Sequence, residues 1–265
     1  TQATIELLEV LLPDSAHIQE KEAEWQLRHR RRGGKAERGI PAPLYSVAQA
    51  LASLKLLRPV CYGQPEKTAE NVSVVFRDAG HILGSASLEV TVQGEGKPRR
   101  LVFSGDLGMS NRPVLCDPAP PPTEADVLLI ESTYGDRLHR SLPETEDEIV
   151  AAFERTRAAK GNLIIPAFAV GRTQEIIYML ADLVRRKRLS PLKVYVDSPM
   201  ANAATRITLA NQHLLDAETC ELIAWLKAHP KHMSLELIAD VERSIQLNDI
   251  RSGAVIISAS GMCEA

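Results

Sequence analysis

The sequence predicts a mixed α/β protein whose first half is rich in strands and whose second half alternates strands with helices. Between Asp78 and His139, apolar β-branched runs stop three times at a polar residue beside glycine or serine. After residue 135, short apolar runs alternate with helical patterns, which is typical of parallel strands joined by crossover helices. The switch near residue 135 gives the predicted boundary between two domains, 1–134 and 135–265.

The elements of the first half are predicted from periodicity and from proline and glycine positions. A first helix is expected to close at Pro13 and Asp14, and a second to run from about Ile18 to His29. A further helix and four strands are then predicted, in order, at 46–56, RPVCYG, NVSVVFRDA, 85–93 and 100–104.

The second half is predicted as a doubly wound unit. Its expected elements are a helix at 143–159, a strand in NLIIPAF, a helix at 172–187, a strand in LKVYVDS, helices at 200–211 and 217–227, a strand in SLELI, a helix at 239–246 and a strand in GAVIISAS.

Composition excludes several classes of protein. With 265 residues, of which 45% are hydrophobic, the chain can bury a sizeable core. The net charge of −3 means that any nucleic-acid contact must come from a local basic patch. The four cysteines form no CxxC pair, which argues against a zinc knuckle or disulfide framework and suits a reducing cytoplasm. No apolar run approaches the ~18 residues of a membrane span, so no membrane partner is expected.

The three polar residues that end apolar runs are His81, Asp106 and Glu131. Neighbouring strands that end in this way place their side chains together at one edge of a sheet. An imidazole and two carboxylates there favour a metal or general acid–base site. Each residue taken alone is more commonly an ordinary turn residue.

The motifs GHILGSA, SGDLG and ESTYGDR, in this order and spacing, resemble the β-CASP family of metallo-β-lactamase-fold nucleases. That family contains the pre-mRNA 3′-end cleavage factor and bacterial RNA-processing enzymes. LLPDSAHIQEKEAEW, IIPAFAVGRTQE, VDSPMA and SASGM also look like family segments. The resemblance implies a partial metallo-β-lactamase αββα sandwich followed by a doubly wound β-CASP domain, and a metal-dependent ribonuclease.

The resemblance also implies a site with two Zn²⁺ ions. His81 would be a ligand of one zinc ion, and Asp106 would be the carboxylate that bridges both. Glu131 matches an acidic residue that orients a histidine in the family. His139 matches another family position, although a surface histidine is the preferred interpretation.

The sequence departs from the family in lacking the HxHxDH motif, since no His-x-His occurs among its seven histidines. His229 and His232 flank Pro230, which indicates a solvent-exposed loop. The simplest account is that this chain is part of a longer protein, and that HxHxDH and the late histidine motifs lie in the parts that this chain does not include. We therefore expect the isolated chain to bind zinc weakly or partially and not to hydrolyse RNA. We also expect uncovered apolar side chains among Val72, Val74, Phe76, Leu88 and Val90.

A rim that faces phosphate is predicted where Arg172, Ser198 and Ser260 follow strands and precede helices. Helix N-termini offer free N–H groups to anions, and an arginine adds a bidentate contact. The alternatives are that the serines only cap helices and that Arg172 pairs with Glu175. The basic segment 28–35 is interpreted as a solvated loop, with a phosphate-contacting arm as the alternative.

Two other functions are weighed against an RNA nuclease. One is a non-catalytic family member that acts as an RNA- or protein-binding scaffold. The other is a small-molecule hydrolase of the wider metallo-β-lactamase fold, such as a thioesterase. The expected partner is single-stranded RNA in the cytoplasm. The RNA target, the endo- or exonuclease mode and the assembly state, including a homodimer, are left open.

Overall fold

The computed structural model describes residues 1–32 and 42–259, with the side chains of 30–32 left out. The chain separates into two compact units, Thr1–Cys61 and Tyr62–Ala265. The mixed α/β class predicted from the sequence is confirmed. The predicted domain boundary near residue 135 falls inside the second unit. This division does not test that boundary, which stays a prediction.

The described residues of the first unit form two helices, α1 (Gln2–Arg32) and α2 (Val47–Leu54). The prediction that a helix stops at Pro13 is wrong, since α1 runs through this proline as one element. Ser46 caps α2 with a reciprocal capping box to Gln49, which satisfies two backbone N–H groups. None of the helices in the described residues is long and apolar enough to cross a membrane.

The first sheet of the second unit has five strands in sequential order. They are β1 (Pro65–Ala69), β2 (Val72–Asp78), β3 (Ala86–Val92), β4 (Arg99–Phe103) and β5 (Val127–Leu129). Neighbouring strands are antiparallel except β4 and β5, which are parallel. The strand predicted in RPVCYG is absent from residues 58–63, because the chain turns at Tyr62 and Gly63, where the glycine has a φ of 73°. Strand β1 instead forms from the polar run PEKTA.

Within residues 42–259 the second sheet has four parallel strands in the order β6-β9-β7-β8. Its strands are β6 (Leu163–Ala167), β7 (Leu192–Asp197), β8 (Met233–Leu237) and β9 (Ala254–Ala259). The accompanying helices are α3 (Leu142–Ala158), α4 (Arg172–Arg185), α5 (Pro199–Ala210), α6 (Ala217–Ala228) and α7 (Val241–Gln246). Every element predicted for this half is present. The core lies between this sheet and α4, where Leu180, Leu183, Val196 and Val255 are fully buried.

The two sheets meet through the long loop that follows β4. Val114 donates its N–H to the Thr219 hydroxyl, and its carbonyl accepts the Asp216 N–H. Leu115 forms an isolated antiparallel bridge with Leu215. This loop therefore ties the first sheet to the start of α6.

Apolar surface is uncovered at β5 rather than where the sequence predicted it. Val74 is buried, and Val72, Phe76, Leu88 and Val90 are half-buried. In β5, by contrast, Val127, Leu128 and Leu129 are 47%, 58% and 49% exposed. An edge strand apolar on both faces is unusual for a solvated sheet edge.

Glu89 is the charged centre of the first sheet. Its carboxylate accepts hydrogen bonds from Arg77 on β2 at 2.7 and 3.0 Å and pairs with Arg100 on β4 at 3.1 Å. The Glu89 side chain is 10% exposed. The Glu89 carboxylate thus links β2, β3 and β4 while it is largely shielded from solvent.

We expect Glu89→Ala to lower the free energy of unfolding by about 1–3 kcal/mol, because two charge-assisted contacts are lost. The cost is limited because both arginines are partly exposed and regain water. Chemical denaturation measures this decrease in the free energy of unfolding. The control is Glu95→Ala, in the exposed β3–β4 turn, and equal stabilities for the two variants would contradict the role of Glu89.

Candidate metal and nucleic-acid site

Three strand ends lie at the same edge of the first sheet. Because β2 and β3 are antiparallel, β3 and β4 are antiparallel and β4 and β5 are parallel, the carboxyl ends of β2, β4 and β5 coincide. His81, Asp106 and Glu131 each follow one of these ends. The structure therefore brings all three predicted residues to one edge.

The turn that carries His81 is fixed by its own polar residues. Asp78 accepts the Gly80 N–H at 2.9 Å, and the Ser85 hydroxyl accepts the N–H groups of His81 and Ile82. Burial raises the pKa of the Asp78 carboxyl, although the Gly80 N–H opposes this. The spacing of Asp, Gly, His and Ser in DAGHILGS thus has a structural reason.

A close backbone approach holds this turn against the Asp106 loop. Gly108 donates its N–H to the Ala79 carbonyl at 2.8 Å. A Cβ atom on Gly108 would lie 1.8 Å from the Gly80 carbonyl oxygen, where no side chain fits. Gly80 itself has a φ of 60°, a conformation that glycine adopts at little cost. Both glycines are needed for the two loops to touch.

His81 and Asp106 face each other across this contact. His81 Nε2 lies 3.8 Å from Asp106 Oδ2, and both side chains are exposed to solvent. An imidazole and a carboxylate at this separation can hold one ion between them or form a charged pair.

Glu131 anchors the Asp106 loop. Its Oε1 accepts the Leu107 N–H at 2.6 Å and its Oε2 accepts the Thr133 hydroxyl at 2.8 Å. The Leu107 N–H holds the pKa of Glu131 below its ordinary value, and Thr133 and the nearby His81 act in the same direction. Sequence reasoning missed this bond to Leu107, because nothing in the motif identifies a backbone donor as the partner.

The donor set in the described residues is incomplete for zinc. Structural and catalytic zinc ions take three or four protein ligands, usually nitrogen, sulfur or carboxylate oxygen. No group of three or more His, Cys, Asp or Glu side chains suited to a metal occurs in residues 1–32 and 42–259. His81 and Asp106 could supply two ligands, so the described residues alone do not form a full zinc site.

Arg172 lies at the first residue of α4 and pairs with Glu175, Nη1 to Oε2, at 2.6 Å. The predicted free N–H groups at this helix end are absent from 171–173. The Gly171 N–H donates to Gln174, and the Arg172 and Thr173 N–H groups donate to the Val170 and Phe168 carbonyls. An anion at residues 171–173 would therefore have to contact the exposed guanidinium and not these backbone N–H groups.

The two predicted serines differ in what the structure says of them. Ser198 is buried, and its hydroxyl caps α5 by accepting the Ala201 N–H at 3.2 Å. Its capping role therefore has structural support, and its predicted phosphate contact has none. Ser260 lies outside the described residues. The prediction of a loop at 28–35 is wrong for residues 28–32, which belong to α1, while residues 33–35 and the side chains of 30–32 lie outside the described residues.

Three other histidines named in the sequence analysis have aromatic contacts. His139 packs its ring 4.3 Å from Tyr134, centroid to centroid. His229 and His232 are exposed, as the proline between them predicted, and both contact Trp225.

We expect Gly108→Ala to separate the His81 turn from the Asp106 loop, because the new methyl group collides with backbone atoms that cannot move aside. Forced overpacking of this kind costs about 1–3 kcal/mol or more. Thermal unfolding and the chemical shifts of the His81 ring measure the two effects. The control is Gly94→Ala, where a Cβ meets nothing within 4 Å. If both variants match the native chain, the close approach does not organise the site.

Removing the Glu131 carboxylate should loosen the Asp106 loop. In Glu131→Ala the Leu107 N–H loses its acceptor, so its hydrogen exchange is expected to become at least about tenfold faster. Glu131→Gln keeps an oxygen acceptor and is expected to restore most of the protection. Asp136→Ala, an exposed acid in the same segment, serves as control. Unchanged exchange at Leu107 in Glu131→Ala would show that the loop is held by other contacts.

Known proteins resemble this chain over most of its length. A family model described as the Beta-Casp domain matches residues 173–265. Ribonuclease TTHA0252 of Thermus thermophilus is 34% identical over 262 residues, which is 99% of this chain and 54% of the relative. An RNase J-like protein of Methanocaldococcus jannaschii is 29% identical, over 77% of this chain and 46% of the relative.

A eukaryotic relative shows the same likeness. Cleavage and polyadenylation specificity factor subunit 3 of Dictyostelium discoideum is 30% identical over 56% of this chain and 19% of the relative. The chain spans about half the length of the first two of these relatives, and less of the third. The domain match over residues 173–265 and the ribonuclease relatives agree with the two-sheet architecture and the site motifs, and together they support the β-CASP family of metallo-β-lactamase-fold RNA nucleases as the family of this chain.

Proposed function

We propose that the complete protein containing this chain hydrolyses RNA phosphodiester bonds with two Zn²⁺ ions. The observation that carries the proposal is the placement of His81 and Asp106 side by side at the sheet edge, 3.8 Å apart. The ribonuclease names of the relatives support RNA as the substrate class. Single-stranded RNA, a cytoplasmic location and the assembly state stay predictions.

Each site residue has a distinct part in this proposal. His81 and Asp106 would hold the metal. Such ions act as Lewis acids toward a phosphodiester. Glu131 fixes the backbone that carries Asp106, through its bond to Leu107. Arg172 holds RNA by its exposed guanidinium. Because this chain supplies two clustered ligands among its described residues, the 265-residue chain alone is proposed to be inactive.

A non-catalytic, RNA-binding scaffold is the second candidate. The observation that favours it is the absence, within the described residues, of a group of three or more metal-binding side chains. A scaffold has no chemical need for an imidazole beside a carboxylate at the sheet edge, which is why hydrolysis is the preferred proposal.

The test compares the complete protein with the 265-residue chain. We expect the complete protein to cleave RNA, to contain zinc by mass spectrometry and to lose activity on chelation. Asp106→Asn should reduce cleavage by at least about 100-fold and lower the zinc content. The control is Asp249→Asn, an exposed aspartate in the turn after α7.

The alternatives give different results in the same assays. RNA binding without cleavage, unaffected by Asp106→Asn, would establish the scaffold. Cleavage of a thioester in place of RNA would establish a small-molecule hydrolase. Full RNA cleavage by Asp106→Asn would show that the metal site has been assigned to the wrong residues.

A further inference from the structure

A cavity of about 240 Å³ lies among the loop after β4, the start of α3 and the start of α4. Its wall includes Arg112, Arg140, Arg172 and His139, together with Thr145 and Glu175. The chain as a whole is slightly acidic, so three arginines around one cavity are a local concentration of positive charge. Such a concentration is the electrostatic signature of an anion site.

The carboxylates near the cavity do not balance its arginines. Arg172 pairs with Glu175 at 2.6 Å, and Arg140 pairs with Glu148. Arg112 donates to the Met109 Sδ atom at 3.7 Å, and no ion pair found within residues 1–32 and 42–259 includes it. One guanidinium is therefore left to bind an anion, and its planar donors suit phosphate oxygens.

Glu175 competes with any anion for these arginines. Burial raises the pKa of its carboxyl, while Arg172 and Arg112 act in the opposite direction. A phosphate that enters the cavity must share Arg172 with this carboxylate. Glu175 is therefore expected to weaken anion binding while it keeps Arg172 in place.

The cavity adjoins the His81 turn. A Cβ atom on Gly171 would lie 3.2 Å from Ile82 Cγ2, so the loop that begins α4 packs directly on the residue after His81. The charge of His81 also acts on Glu175, which lines the cavity. An RNA strand bound at His81 and Asp106 would therefore pass beside the arginines of the cavity.

We propose that Arg112, Arg140 and Arg172 form a subsite for a backbone phosphate of single-stranded RNA, next to the phosphate at His81 and Asp106. Arg112 is its main contact and Glu175 its internal competitor. This subsite rests on the proposed RNA hydrolysis for its ligand, and its own evidence is the cavity and its unbalanced charge. Positioning a neighbouring phosphate orients the reacting one without contact to it.

The test measures RNA affinity at several salt concentrations in the complete protein, with Asp106→Asn present to prevent cleavage. Arg112→Met should weaken binding of a short single strand about tenfold and reduce the salt slope by about 0.7. Glu175→Gln should tighten binding severalfold, which a loss of folding cannot imitate. The matched control is Arg251→Met, an exposed arginine before β9, at the opposite end of the parallel strands from Arg172.

Equal affinities and slopes for Arg112→Met and Arg251→Met would overturn the subsite, and weaker binding by folded Glu175→Gln would remove Glu175 as competitor. If inorganic phosphate binds through Arg112 while Arg112→Met leaves RNA affinity unchanged, the ligand is free phosphate and not RNA. Cleavage is assayed separately with Asp106 restored. If the complete protein cleaves RNA and Arg112→Met leaves RNA binding unchanged, the subsite is refuted and the proposed hydrolysis stands. If the predicted binding effects appear but no RNA is cleaved, the proposed hydrolysis is refuted and the subsite stands.

Discussion

The contact between the backbones of Gly80 and Gly108 is the constraint on which the site depends. The Gly108 N–H reaches the Ala79 carbonyl at 2.8 Å, and a side chain at Gly108 would occupy the space of the Gly80 carbonyl. Without this approach, the His81 turn and the Asp106 loop would be separate sheet connections. Buried backbone groups must be paired, and here the pairing itself aligns two functional side chains.

The second half was predictable because local and global signals agree there. Short apolar strands alternate with helices capped by Ser141, Ser198 and Asp216, so periodicity and capping indicate the same boundaries. The first half was less predictable. The polar run PEKTA becomes an edge strand because it pairs with β2, and α1 continues through Pro13; neither follows from local sequence. At β1, pairing with a neighbouring strand overrides local propensity.

The candidate site was likewise predictable from the sequence only in part. The sequence identified His81, Asp106 and Glu131, because strand ends at one edge of a sheet must converge. It did not identify how the edge is held together, since the bond from Leu107 to Glu131 joins residues 24 positions apart and involves a backbone donor. The arginine cavity was missed for a related reason. Its arginines come from three segments, and only Arg172 lies at a strand end where the sequence predicted a phosphate contact.

At the start of α4, the backbone N–H groups and the Arg172 side chain have different roles, although the sequence predicted phosphate contacts from both. Its first N–H groups are bonded to Gln174 and to the Val170 and Phe168 carbonyls, so they stiffen the loop and are closed to a ligand. The side chain of Arg172 remains exposed and faces the cavity. Rigid backbone with charged side chains above it is a suitable platform for a polyanion, because the charges are positioned without loss of backbone order. The helix end supports this surface, and the guanidinium groups supply its charge.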